Sequence, residues 1–168
     1  MSSSRRSPDP SCSVTETLEL LNRKLCVDLT SREFVALSLA LFDPRAGTLE
    51  LANSGLPDPY LMRAGCEPEM IDVPGPRLPL GIRSDIRYQS RTLHLAAGER
   101  LLLLTDGLPE ARTADGEPLG YDRLTALLAD DGNCATPGDW LDGVLARVRA
   151  ATTGSAEDDL TAVVLQRN

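Results

Sequence analysis

Two groups of carboxylates stand where apolar runs of the sequence end or begin. Asp106 comes one residue after four consecutive leucines, and Gly107 behind it lets the backbone turn or approach a ligand closely. Asp158 and Asp159 directly precede the apolar run 160–165. Adjacent carboxylates repel one another unless a cation or solvent offsets them. An ordinary Asp-Gly turn is the alternative for Asp106. Two acidic strand ends in one domain nevertheless favour a hard, oxygen-ligated cation such as Mg²⁺ or Mn²⁺.

Composition limits the classes of function that are open to this chain. The 168 residues are enough for one domain with a core and too few for two ordinary ones. A net charge of −8 argues against nucleic acid or an anionic membrane as a partner. Four scattered cysteines without a Cys/His cluster make a zinc site an unfavoured choice. The N-terminal residues lack an apolar segment, so no secretory signal is expected and the expected location is cytoplasmic.

The single histidine, His94, is a weak candidate for a catalytic base. It falls in an alternating pattern that is typical of a strand with one face in solvent. We therefore expect His94 to be a surface residue and not part of a Ser-His-Asp or Cys-His mechanism.

The periodicity predicts an α+β fold in which helices lie on antiparallel sheet. Residues 1–12 are rich in Ser, Pro and Arg and are expected to form a disordered tail before a single domain at 13–168. Ser13 and Glu16 fit a capping box that opens a helix. The predicted inward face of this helix is Val14, Leu18, Leu21 and Leu25. Strands are predicted at 34–42, 48–52, 60–63, 69–73, 86–95, 101–104 and 160–165, and helices around Leu124, Leu127 and Leu128 and after an N-cap at Thr136.

Several short motifs in a fixed order resemble one known family. The chain is similar to the metal-dependent protein phosphatases of type 2C (the PPM family), in the bacterial SpoIIE/RsbU branch, from about Val14 to Arg167. The resemblance implies an antiparallel β-sheet sandwich flanked by helices. The matching pieces are Leu21-Asn22, Phe34-Val35, Asp43-Pro44 with Gly47, Ala52-Asn53-Ser54-Gly55 with Pro57 and Pro59, Leu78-Pro79-Leu80-Gly81, Gly98-Glu99, Leu104-Thr105-Asp106-Gly107 with Glu110-Ala111, Gly120, and Asp158-Asp159-Leu160-Thr161.

The resemblance implies a chemistry and assigns residues to it. Asp106 and Asp158 match metal-ligating aspartates, Asp159 is a further contributor, and the backbone of Gly107 lies at the same motif. Family enzymes hold two manganese or magnesium ions and hydrolyse phosphoserine by in-line attack of an activated water. No protein nucleophile or histidine is needed. The implied partner is a phosphorylated regulatory protein such as an anti-sigma-factor antagonist.

The sequence also departs from the family pattern. The upstream Gly-Asp-x-x-Gly-His-Gly motif, whose aspartate bridges the two metals, has no match before Val14, and Asp9 lacks the surrounding glycines. Leu56 stands where the family usually has histidine. We therefore expect an N-terminally truncated, incomplete domain with weakened cation affinity. We also expect an open sheet edge along which two chains form a homodimer.

These observations leave three hypotheses open. The first is a phosphatase, and the second is a pseudophosphatase that keeps the fold as a protein-binding regulatory module. The third is an α+β domain in which Asp106 and Asp158 are only solvated strand ends.

Overall fold

The computed structural model describes residues 13–30, 32–129, 134, 136–153 and 159–168. The predicted tail at 1–12 and the predicted ligand Asp158 lie outside the described residues. The elements, in chain order, are α1 (Val14–Asp28), β1 (Leu37–Asp43), β2 (Thr48–Ser54), β3 (Tyr60–Met62), β4 (Glu69–Met70), β5 (Arg91–His94), β6 (Arg100–Leu104), α2 (Gly107–Glu110), α3 (Gly120–Leu128), α4 (Pro137–Ala151) and β7 (Ala162–Gln166).

The strands form two antiparallel sheets. One sheet has the order β1-β2-β5, and the other has the order β4-β3-β6-β7. The β1–β2 hairpin closes through the turn that Asp43, Pro44 and Gly47 predict, and the side chain of Asp43 accepts hydrogen bonds from the backbone N–H groups of Arg45 and Ala46. The predicted α+β class with antiparallel sheets is confirmed.

One core cluster lies between the two sheets and follows from the two-residue period of the strands. Leu49 and Leu93 come from the first sheet, and Leu61 and Leu101 come from the second. All four side chains belong to one buried cluster, so the two sheets pack face to face as a sandwich.

Helices cover both outer faces of this sandwich. Helix α1 packs on the first sheet through Val14 and Leu18, which contact a cluster that includes Ala52 of β2. Helices α3 and α4 pack on the second sheet, where Leu102 and Leu104 of β6 meet a cluster built around Trp140. The layers are therefore helix, sheet, sheet and helix. No helix within the described ranges has the length and apolarity needed to cross a membrane.

Helix α1 begins as predicted, but one residue of its predicted inward face is wrong. Both halves of the capping box between Ser13 and Glu16 are formed. Leu21 is 36% exposed, whereas its neighbour Asn22 is fully buried. The Asn22 side chain accepts from the Gly81 N–H at 2.9 Å and donates to the Arg83 carbonyl oxygen at 2.7 Å. These two bonds compensate the burial of a polar group, so the helix turns Asn22 inward instead of Leu21.

Two further predictions differ from the structure. The predicted strand 86–95 pairs only at Arg91–His94, because Ile86 and Tyr88 pack in the cluster beneath α1 instead of joining a ladder. A four-residue helix, α2, follows β6 where no helix was predicted. A segment this short contains no complete helical repeat of apolar residues, so periodicity could not detect it.

Candidate metal centre

All four strands of the second sheet begin or end at the same end of that sheet. The start of β3 lies beside the end of β6, since Tyr60 pairs with Leu102. Tyr60 also pairs with Met70 at the end of β4. Leu104 pairs with Ala162, so β6 ends where β7 begins. The two acidic motifs of the sequence, with Asp106 and Asp159 separated by 53 positions in the chain, are therefore adjacent in space.

Thr105 holds these two motifs together. Its backbone N–H donates to the Thr161 carbonyl oxygen at 3.0 Å, which extends the β6–β7 ladder by one step. Its hydroxyl donates to the carbonyl oxygen of Asp159 at 3.1 Å and accepts from the Thr161 N–H at 3.0 Å. One threonine side chain thus satisfies both a donor and an acceptor of the neighbouring segment, which fixes Asp106 relative to Asp159.

Gly107 is required by a close approach of two backbones. A Cβ atom at this position would stand 2.7 Å from the carbonyl oxygen of Asp159 and 3.4 Å from the Cα of Leu160. Its φ angle is not in the left-handed region, so the requirement is one of space and not of conformation. From the sequence, Gly107 is expected to allow a turn or a close approach to a ligand, and in the structure its close neighbour is the backbone of the second acidic motif.

The carboxylate of Asp106 is exposed and is not used by the fold. Asp106 precedes α2, but its side chain makes no capping hydrogen bond. Within the described part of the chain it makes neither a hydrogen bond nor an ion pair. Asp159, across the strand joint, is also exposed. Two exposed carboxylates at the same end of the sheet provide the hard oxygen donors that suit Mg²⁺ or Mn²⁺.

The described carboxylates do not by themselves make a full coordination sphere. Among the residues that the structure describes, no group of three His, Cys, Asp or Glu side chains is arranged to hold a metal ion. Asp158 lies outside the described residues, so its predicted ligand role stays a prediction. His94 lies on β5 in the other sheet and is exposed, as expected for a surface residue.

Asp106 lines a cavity of about 400 Å³, and the rest of its wall comes from loops and element ends at this end of the sheet. Leu56, which stands where the family usually has histidine, belongs to this wall and makes it partly apolar. The lining residues are Gly55, Leu56, Pro57, Asp58, Met70, Arg77, Asp106, Glu110 and Tyr121.

Arg77 and Asp58 form an ion pair in this cavity. Asp58 is 8% exposed, and its Oδ2 atom lies 2.6 Å from Nη2 of Arg77. The other oxygen of Asp58 accepts from the Val73 N–H at 3.3 Å. Nη2 of Arg77 also contacts the exposed Asp72 at 2.8 Å. The hydrogen bond with Asp58, opposed in part by desolvation, raises the pKa of Arg77 above its ordinary value.

Tyr121, at the start of α3, faces the charged groups of the cavity. Burial raises the pKa of its phenol, and the negative charges of Asp106 and Glu110 raise this pKa further. The positive charge of Arg77 acts in the opposite direction and lowers it. A tyrosine phenol is protonated at neutral pH and can donate a hydrogen bond.

Sequence reasoning missed Arg77, Asp58 and Tyr121 as members of the site. Asp58 stands between two prolines, and Arg77 follows a Gly-Pro pair, so both signals indicate only rigid loops. Their position depends on strand register, since both loops reach the end of the sheet where β6 ends. The register of β3 and β4 would have to be known before these residues could be assigned to the cavity.

The order and packing of these elements are those of PP2C-type phosphatase domains of the PPM class. The family model described as stage II sporulation protein E (SpoIIE) matches residues 2–168. The chain therefore belongs to the SpoIIE family, in the SpoIIE/RsbU branch, which confirms the resemblance seen in the sequence. No curated protein matches the chain significantly.

Solved structures with the same fold come from several bacteria. The RsbU and RsbW domains of Rv1364c from Mycobacterium tuberculosis match with a TM-score of 0.79 at 23% identity, over 94% of this chain and 42% of that one. The SiaA-PP2C domain of Pseudomonas aeruginosa matches with a TM-score of 0.76 at 22% identity, over 92% of this chain and 61% of that one. The PP2C phosphatase domain of SpoIIE from Bacillus subtilis, with a fragment of its regulatory domain, matches with a TM-score of 0.74 at 20% identity, over 93% and 44%.

The chain therefore spans between about two fifths and three fifths of the length of these three structures. Two other matching structures concern metals: an RsbX structure in complex with magnesium, and a manganese-presoaked SpoIIE phosphatase domain from Bacillus subtilis.

Proposed function

We propose that this chain is a divalent-cation-dependent protein phosphatase that removes phosphate from serine or threonine of a regulatory protein. Membership of the SpoIIE family supports a serine/threonine phosphatase-like function. The observation that carries the proposal is the joint at Thr105, which holds Asp106 beside Asp159 at the mouth of a cavity.

The residues of the chain would divide the work in a simple way. Asp106, Asp158 and Asp159 would hold Mn²⁺ or Mg²⁺, and the backbone of Gly107 would keep the acidic segments close. When bound, such ions supply Lewis acidity and neutralise charge on a phosphoryl group. The carboxylates of Asp106 and Glu110 repel a phosphate dianion until a cation offsets them, so substrate binding depends on the cation.

The proposed partner is a phosphorylated regulatory protein of the anti-sigma-factor-antagonist kind. The solved match from Mycobacterium tuberculosis contains an RsbU domain together with an RsbW domain, which supports a setting among regulatory proteins. The net charge of −8 supports a protein partner over nucleic acid.

The test is hydrolysis of a phosphoserine protein and of a small aryl phosphate by the purified chain. We expect turnover with manganese, none with chelator, and none from Asp106→Asn. Asp142→Asn, an exposed carboxylate on α4 outside the cavity, is the matched control and should keep full turnover. A folded chain without turnover would refute the proposal and favour the second function, a pseudophosphatase that serves as a protein-binding module.

A homodimer through a sheet edge also remains a proposal. Strand β1 is at one edge of its sheet, and its Leu41 is 57% exposed. Exposed edges with apolar side chains favour pairing with another chain. Sedimentation equilibrium should show a concentration-dependent dimer that Leu41→Lys dissociates, and a monomer at all concentrations would refute the proposal.

A further inference from the structure

We propose that Arg77 is the residue that recognises the phosphoryl group of the substrate in the cavity beside Asp106. The inference rests on the proposed function and adds a specificity residue to it. No role was assigned to Arg77 from the sequence. It is the one positively charged side chain among the described residues that line this cavity.

The guanidinium of Arg77 is held in place before any ligand arrives. Asp58 is almost fully buried and accepts from both Arg77 and the Val73 N–H. Ser54 holds the next segment by donating to the Leu78 carbonyl oxygen at 3.0 Å. A cation that is fixed by a buried carboxylate loses less conformational entropy on binding a ligand than a mobile surface arginine would.

Arg77 keeps donors for a ligand after making these contacts. Both of its ion pairs, with Asp58 and Asp72, use the same nitrogen, Nη2. Within the described part of the chain Nη1 and Nε make no hydrogen bond, and the side chain is 47% exposed. A planar guanidinium with two unused nitrogens suits the oxygens of a phosphoryl group.

The charges around the cavity explain why recognition needs both Arg77 and a cation. The lining carries three carboxylates, Asp58, Asp106 and Glu110, against the one guanidinium. Asp58 neutralises part of the Arg77 charge, so Arg77 alone attracts an anion weakly. Once a divalent cation offsets Asp106, a phosphoryl group has positive charge on one side and the donors of Arg77 on the other.

The inference is tested by binding and not by turnover. The probe is a fluorescent peptide that carries a non-hydrolysable phosphonate analogue of phosphoserine, compared with the same peptide carrying serine. Fluorescence anisotropy is measured on the full chain in the presence of Mg²⁺. We expect the wild-type chain to bind the phosphonate peptide roughly tenfold or more tightly than the serine peptide, because charge-assisted hydrogen bonds are strong.

Three variants separate recognition from folding. Arg77→Ala should lose most of the preference for the phosphonate peptide while its affinity for the serine peptide is unchanged. Arg77→Lys keeps a charge beside Asp58 and so protects the fold, but it lacks the fork of donors and should also lose most of the preference. Arg83→Ala is the matched control, since Arg83 is an exposed arginine that pairs with Asp85 and lies outside the cavity lining.

The outcomes are distinct from those of the phosphatase test. A wild-type preference that survives in folded Arg77→Lys or Arg77→Ala would overturn the inference, as would equal binding of both peptides by the wild-type chain. A parallel loss for both peptides would show a merely structural role and would also overturn it. A chain that shows the expected preference but has no manganese-dependent turnover would refute the phosphatase and leave the role of Arg77 standing.

Discussion

Replacing Gly107 by alanine tests whether the two acidic motifs are held together by direct backbone contact. The added Cβ would stand 2.7 Å from the Asp159 carbonyl oxygen and 3.2 Å from the carbonyl carbon. Real Cβ atoms do not come this close to backbone atoms, so α2 and the segment before β7 must move apart. Neither neighbour is the end of a flexible side chain, and the strain cannot be relieved by a rotamer change.

The expected magnitude follows from two opposing effects. Forcing one extra carbon into a packed contact costs about 1–3 kcal/mol. Alanine also restricts the unfolded chain and is favoured over glycine in a helix, which returns about 0.5–1 kcal/mol. The two effects combine to a net loss of unfolding free energy of about 0–2.5 kcal/mol, with a midpoint near 1 kcal/mol. For a chain of this size, a loss of about 1 kcal/mol lowers Tm by about 2–4 °C.

The matched control is Gly143→Ala in α4. At that position the added Cβ would lie 3.4 Å from Nη1 of Arg147, which is the end of a flexible side chain. We expect this variant to gain about 0.5–1 kcal/mol from helix propensity. The two glycine-to-alanine changes should therefore have opposite signs in urea denaturation and in thermal melts. If Gly107→Ala is as stable as Gly143→Ala, the backbone contact does not constrain the site and the reasoning is refuted.

Three further predictions follow from single contacts. Thr105→Val keeps the shape of the side chain but removes its two hydroxyl bonds to the second acidic motif, which should cost about 1–2 kcal/mol in urea denaturation; an unchanged midpoint would argue against the role of the hydroxyl. Asn22→Ala leaves the half-buried Gly81 N–H without its acceptor and should cost about 1–3 kcal/mol, with Lys24→Ala on the exposed face of α1 as a neutral control. Burial raises the pKa of Tyr60 above 10, so the stabilisation that it gives is full below that pH and is lost as the pH rises through the raised pKa. Thermal melts in alkaline solution should therefore fall less steeply with pH for Tyr60→Phe than for the wild-type chain, and identical slopes would contradict this.

Local signals predicted the parts of the fold that depend on neighbouring residues. The capping box at Ser13 and the N-cap at Thr136 are both formed, since each needs only a side chain and a backbone group three residues away. The apolar run 101–104 also predicted β6, an inner strand of the second sheet, because a short run of buried residues is a local signal.

The remaining features depend on tertiary contacts that a single sequence does not contain. Leu21 and Asn22 are neighbours on a helix, and burial of the amide is favourable only because of the distant Gly81 N–H and Arg83 carbonyl oxygen. The pairing of Tyr60 with both Leu102 and Met70 determines which loops lie at the same end of the sheet as Asp106. The sequence therefore predicts Asp106, Asp158 and Asp159 as site residues, whereas Arg77 and Asp58 join the candidate site only once the register is known.

Binding of manganese to the purified chain decides whether Asp106 is a metal ligand. We expect isothermal titration to detect Mn²⁺ binding to the wild-type chain and to Asp142→Asn. The same titration should show affinity that is roughly tenfold weaker or lost in Asp106→Asn, because cation affinity follows the number of charged ligands. Circular dichroism establishes that each variant is folded. A folded wild-type chain that does not bind manganese at all, or an Asp106→Asn variant that binds it as tightly as the wild type, would refute the proposed role of Asp106.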